Sequence, residues 1–149
     1  MSTPRHGYPV PLFERLVENA DVWLEGEGAL KESVARELAR LLNARSRLTM
    51  EQFAASECGV LDYGVPDFSE RSLRSGHDRE AILAAVRRAI ALFEPRLANV
   101  AVKFDFQGEH GRDAVLVVEG DIRVERSVEH VFFQLAAGAG ACRDEPDDC

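Results

Sequence analysis

Of the 149 residues in this chain, 26 are Asp or Glu, so carboxylate chemistry is the first to consider. Two acids flanking a cleft, one with a raised pKa, would hydrolyse a glycosidic bond. Glu25, Glu27, Asp62, Asp67 and Glu94 are available, but no spacing sets any two of them apart from the other acids. A nucleophilic triad needs Ser or Cys beside a positioned His. The four histidines (His6, His77, His110, His130) fall in an arm, two loops and a strand, with no motif around any of them. Cys58, before Gly59, reads as a small buried hydrophobe. Cys142 and Cys149 have Asp neighbours, yet two soft ligands are too few for a tetrahedral metal site. There is no phosphate-cradling glycine loop, no P-loop and no HExxH. The arginines of "RSLRSGHDREAILAAVRR" are diluted by Glu70, Asp78 and Glu80 and read as a solvated face. The reading is therefore a non-enzyme, with no catalytic residue, metal, cofactor or small-molecule substrate.

One polar constellation remains. In "LFEPRLANVAVKF", residues 92 to 104, a helix-patterned run meets a strand-patterned run, and the corner is Glu94, Pro95, Arg96 and Leu97. A plain helix-to-strand turn would be content with Gly or Asn. Two readings of the corner stay open. In one, Arg96 folds back to cap the carbonyls ending the helix, with Glu94 as its ion-pair partner. In the other, Pro95 rigidifies the turn so that Glu94 and Arg96 face a partner protein. The second reading implies that Arg96→Ala leaves the fold largely intact and weakens assembly.

The elements that must hold this corner follow from periodicity. Residues 1 to 11 read as a flexible arm. "PLFERLVENADVWL" follows, with Pro11 placed to open a short helix, and "EGEG" breaks the chain. Leu30, Val34, Leu38 and Leu41 make one apolar stripe on a helix over residues 30 to 43, with Arg36, Glu37 and Arg40 on its exposed side. Residues 44 to 77 read as irregular; within them Asp62, Tyr63, Gly64 and Pro66 demand a fixed turn. A second helix runs from about 79 to 93, with Asp78 as its N-cap and Ile82, Val86, Ile90 and Phe93 as its stripe. Pro95 pushes Glu94 out of the helical region and ends it.

Beyond the corner the period changes from 3.6 to 2. Val100, Val102, Phe104 and Phe106 mark one strand, and "AVLVVEGDIRV" its return, with Gly120 expected at a bulge. "VEHVFFQLA" is a third strand with apolar residues on both faces. The fold class is α+β, with N-terminal helices packed on one face of a small C-terminal antiparallel sheet. One domain spans residues 12 to 136, and "CRDEPDDC" lies in an acidic tail over residues 137 to 149.

A formal net charge of −8 disfavours binding to nucleic-acid phosphates. Three cysteines without a CxxC pair imply a reducing, cytoplasmic setting rather than a disulfide framework. The N-terminus lacks the apolar core of a signal peptide, and no apolar run reaches the roughly 20 residues of a spanning helix.

Four stretches in order, "LFERL", "SVARELARLLNAR", "GVLDYGVPDFS" and "FEPRL", resemble the TssE family, the baseplate wedge components of bacterial type VI secretion systems. That family is related to a contractile-phage baseplate protein labelled lysozyme-like. The resemblance spans about residues 12 to 135. It implies a structural subunit at the cytoplasmic baseplate near the inner membrane, with membrane contact only through other subunits. It also implies docking onto other wedge subunits through Glu94, Pro95, Arg96 and Leu97, and seeding of the contractile sheath through contacts with sheath subunits. An open sheet edge accepts a partner's strand. Residues 128 to 135, with Val128, Val131, Phe133 and Leu135, are the candidate edge. The alternatives are a wedge protein of a phage or other contractile particle, a regulatory binding module resembling IraD, and a peptidoglycan hydrolase.

Overall fold

The structure is a computed structural model that describes residues 7–17, 23–108 and 113–136. Its elements in chain order are β1 (Tyr8–Pro9), α1 (Leu12–Val17), β2 (Trp23–Leu24), α2 (Gly26–Asn43), α3 (Met50–Ala55), α4 (Gly76–Phe93), β3 (Leu97–Gln107), β4 (Asp113–Val124) and β5 (Ser127–Ala136). A single 3-10 turn covers Val60–Asp62. β3, β4 and β5 form one antiparallel sheet in that order, with β4 in the middle. The α+β arrangement is as the periodicity implies.

The core lies between the long helices and one face of this sheet. Leu30, Val34, Leu38 and Leu41 of α2 meet Ile82, Val86, Ala89 and Ile90 of α4, over Leu116, Val118 and Ile122 of β4 and Val131 of β5. Each of the Val, Leu and Ile side chains contributes about 1.5–3 kcal/mol by leaving water. The opposite sheet face carries Lys103 paired with Glu119, and His130 and Asn99 both on Asp121.

Several boundaries differ from the sequence reading. Of the segment expected to be a flexible arm, residues 7 to 11 are tied down. Tyr8 and Pro9 pair with Leu24 and Trp23, Val10 is buried, and the Tyr8 hydroxyl accepts from the Glu125 N–H at 2.6 Å. α2 starts at Gly26, inside the stretch expected to break the chain. α4 is capped by Ser75, whose hydroxyl accepts from the Asp78 N–H. Asp78 is instead a residue of the first turn, accepting from the Ser72 N–H and from Arg71. The 44–77 segment contains α3, which opens on a Thr49–Gln52 capping box and buries Phe53. The acidic tail lies outside the described residues.

The bulge is on β3, between Ala98 and Ala101, where Asn99 has φ 51°, and not at Gly120, which pairs regularly with Val131. A Cβ at Gly120 would stand 2.8 Å from the Leu97 side chain and 2.9 Å from the Ala98 carbonyl oxygen. Gly120 thus gives the bulged strand and the buried Leu97 room to approach.

Candidate functional site

The corner is built from the end of α4. Glu94 takes φ −128° and ψ 72°, which stops the helix before the proline. The Leu97 N–H donates to the Glu94 carbonyl at 3.3 Å, closing a four-residue turn with Pro95 at its second position. Proline fits there because its fixed φ suits that position.

Within the turn, Arg96 folds back onto Glu94. Its Nε donates to Oε1 and its Nη2 to Oε2, both at 2.8 Å, a two-pronged pairing. The Arg96 N–H adds a longer bond to Oε1 at 3.3 Å, and Nη1 reaches the Ser33 hydroxyl on α2 at 3.0 Å. Glu94 is 2% exposed and Ser33 is fully buried, whereas the Arg96 side chain is 23% exposed. The guanidinium engages a carboxylate and a hydroxyl. Of the first reading the Glu94 ion pair is present, while among the described residues Arg96 makes no hydrogen bond to a helix-ending carbonyl. Leu97 points into the core, and Pro95 stands in solvent. The solvent-facing parts of the corner are thus Pro95 and the outer rim of Arg96.

Glu37, expected on the exposed side of α2, is buried one turn after Ser33. It pairs with Arg40. Burial raises its pKa, with the charges of Glu94 and Glu14 adding to the effect and those of Arg40 and Arg96 opposing it. Ser33 and Glu37 therefore form a polar row beside the apolar stripe, facing the corner. The signal in the sequence was the i, i+4 pair of polar residues next to Val34 and Leu38.

The middle turn is pinned independently. Asp62 Oδ1 accepts from Arg47 Nε at 2.8 Å and Oδ2 from the Gly59 N–H at 2.9 Å. The Gly59 bond, and Arg47 after it, hold the Asp62 carboxyl below its ordinary pKa. The Tyr63 ring meets Phe93 edge-on at 5.2 Å, tying the turn to the last residue of α4. Gly64 has φ 114°, and a Cβ there would stand 2.7 Å from the Ala44 carbonyl oxygen, so only glycine fits. The Val65 N–H donates to Ala44 and the Ser46 N–H to Val65, stitching the turn to the end of α2, and Pro66 is fully buried.

β5 forms over Ser127–Ala136, and its outer edge has no strand partner among the described residues; the same is true of β3. Val131, Phe133 and Leu135 turn toward the core. Val128 lies on the opposite face, 63% exposed, with Phe132, 68% exposed. The structure thus places the candidate residues as three separate features, of which the corner and the middle turn share the C-terminal end of α4.

Three comparisons bear on this arrangement. No curated protein matches the chain. A protein from Geobacter sulfurreducens, assigned as a candidate tail lysozyme, superposes with a TM-score of 0.51 at 15% identity, over 80% of this chain and 100% of that one. At that identity the likeness is one of fold alone. A chain of the baseplate complex from the type VI secretion system aligns with a TM-score of 0.49 at 20% identity, covering 75% of this chain and 97% of that one. The family model of the baseplate wedge protein gp25 matches residues 28–128, a span that runs from α2 through the pinned turn and the corner to the start of β5. With those parts matched as one continuous unit, the chain belongs to the gp25 baseplate wedge protein family.

Proposed function

We propose that this chain is the wedge subunit of a type VI secretion baseplate, docking onto other wedge subunits through the Glu94–Leu97 corner and helping to seed the contractile sheath. The observation that carries the reading is the family match across the corner and the pinned turn. The geometry supports it at residue level. The Glu94–Arg96 fork and the turn hydrogen bond preorganise an exposed Pro95 and an arginine rim, so little ordering entropy is lost on contact. The edge of β5, without a strand partner among the described residues, supplies backbone donors and acceptors for a strand from a sheath subunit.

The role is structural rather than enzymatic. The buried acids Glu37, Asp62 and Glu94 are held by Arg40, Arg47 and Arg96, which spends their charge on positioning. The protein works at the baseplate on the cytoplasmic side of the inner membrane. Among its described residues no helix is long and apolar enough to cross a membrane.

The test mixes the purified protein with type VI wedge and sheath subunits and follows complex formation by size-exclusion chromatography. Pro95→Glu is expected to melt with wild type and to lose the wedge complex. A Pro95→Glu protein that assembles normally would remove the corner from the interface. Amide exchange at residues 128 to 135 is expected to slow when sheath subunits bind; unchanged exchange in a formed complex would rule out that edge. Release of fragments from purified cell wall would overturn the structural role.

A further inference from the structure

An arginine side chain carries five N–H donors, one on Nε and two on each terminal nitrogen. At the corner, Glu94 takes the Nε donor and one from Nη2, and the Ser33 hydroxyl takes one from Nη1. One donor is left on each terminal nitrogen, and among the described residues the Arg96 side chain makes no further hydrogen bond. The side chain reaches solvent next to the exposed Pro95. Held by Glu94 on one side and by Ser33 of α2 on another, the guanidinium presents these donors in a fixed direction. The charges around it are already matched. Glu94 and Glu14 both act on Glu37, and each of the three carboxylates has its own arginine, Arg96, Arg36 and Arg40. The Arg96 guanidinium thus has donors left over and no excess charge.

We propose that the two remaining donors of Arg96, with the Pro95 ring beside them, bind main-chain carbonyl oxygens of a neighbouring wedge subunit rather than an acidic side chain. The proposal rests on the corner-docking reading above and names the chemistry that the corner recognises. A neutral carbonyl oxygen satisfies the donors, which would otherwise lose their water on contact. A partner's carboxylate would do so only by setting a second negative charge against Glu94, with one guanidinium between the two. A phosphate group meets the same objection with a larger charge. Because Glu94 and Ser33 fix the donors before contact, little ordering is needed on binding. Such a contact responds weakly to salt, since no net charge is paired across it.

The test measures the affinity of the full chain for each purified wedge subunit of its own system, by biolayer interferometry at roughly 50 and 300 mM salt. Arg96→Lys keeps a positive charge opposite Glu94 but gathers its donors on one nitrogen. It is expected to bind at least about tenfold more weakly than wild type at both salt concentrations. Pro95→Gln and Pro95→Lys put a neutral and a cationic side chain at the exposed position beside the rim. The two are expected to match each other within about threefold at both salt concentrations, because an uncharged acceptor gains little from an added cation. Arg96→Lys binding within about twofold of wild type would show that the donors are not used, and would overturn the proposal. Pro95→Lys binding about tenfold tighter than Pro95→Gln at low salt, with the gap closing at high salt, would identify an anionic acceptor and overturn it too. Melting curves accompany every variant, and if Arg96→Lys does not fold, the Pro95 pair decides. After either failure, loss of the wedge complex by Pro95→Glu keeps the corner-docking reading standing. A wild-type chain that binds no wedge subunit overturns both.

Discussion

Of the two readings open for Arg96, the structure shows the pairing with Glu94, which occupies most of the side chain inside its own molecule. Its fork closes the negative charge of a carboxylate that is 2% exposed. Removing one member of such a pair strands the other in low dielectric, which costs about 3–5 kcal/mol. Arg96→Ala should therefore lower unfolding stability by that amount in urea titrations, contrary to the expectation that the fold would tolerate it. An unchanged midpoint would mean that Glu94 finds water once the arginine is gone. Glu37 gives a second prediction at this scale. Its pKa is raised by burial, so the folded state binds more protons than the unfolded one. The stability this confers is full below the unfolded carboxylate pKa and is lost as pH rises through the folded value. Glu37→Gln should flatten that part of the profile, checked by melting temperatures of both proteins between about pH 4 and 7.

The long elements were legible because each has one dominant period. The stripe from Leu30 to Leu41, the stripe from Ile82 to Ile90 and the alternation of the strands all point to one buried face. Short elements were not. α3 buries only Phe53, too little for an apolar period to show, although Thr49 and Gln52 spell its capping box. Ser75 and Asp78 are both good N-cap residues, and only the path of the chain decides between them. At the candidate site the corner's residue types and one of its two open readings, Arg96 folding back onto Glu94, could be read, but the bond from Arg96 to Ser33 could not, because Ser33 comes from a helix far away in sequence. Gly120 was read as a bulge when its role is to make space for a bulge on the neighbouring strand. Gly120→Ala should cost roughly 1–3 kcal/mol, since the Ala98 carbonyl cannot move aside cheaply. A midpoint equal to wild type in chemical denaturation would show that β3 shifts to accommodate the methyl.

For the molecule as a whole, the sheet has helices on one face, paired charges on the other and two edges without strand partners among the described residues. Tyr8 ties the start of the described chain to the β4–β5 turn through Glu125. All three strands that complete the core lie in residues 97–136, after every long helix. During synthesis the apolar stripes of α2 and α4 therefore leave the ribosome with only each other to pack on, and their sheet-facing sides stay uncovered until β4 has emerged. A nascent chain stalled at residue 108 should be protease-sensitive and should recruit chaperones, whereas one whose β5 has cleared the exit tunnel should resist digestion. Residues 97–136 thus decide when the helices before them can fold, and a pause placed before residue 97 would lengthen the interval in which the chain is prone to aggregate.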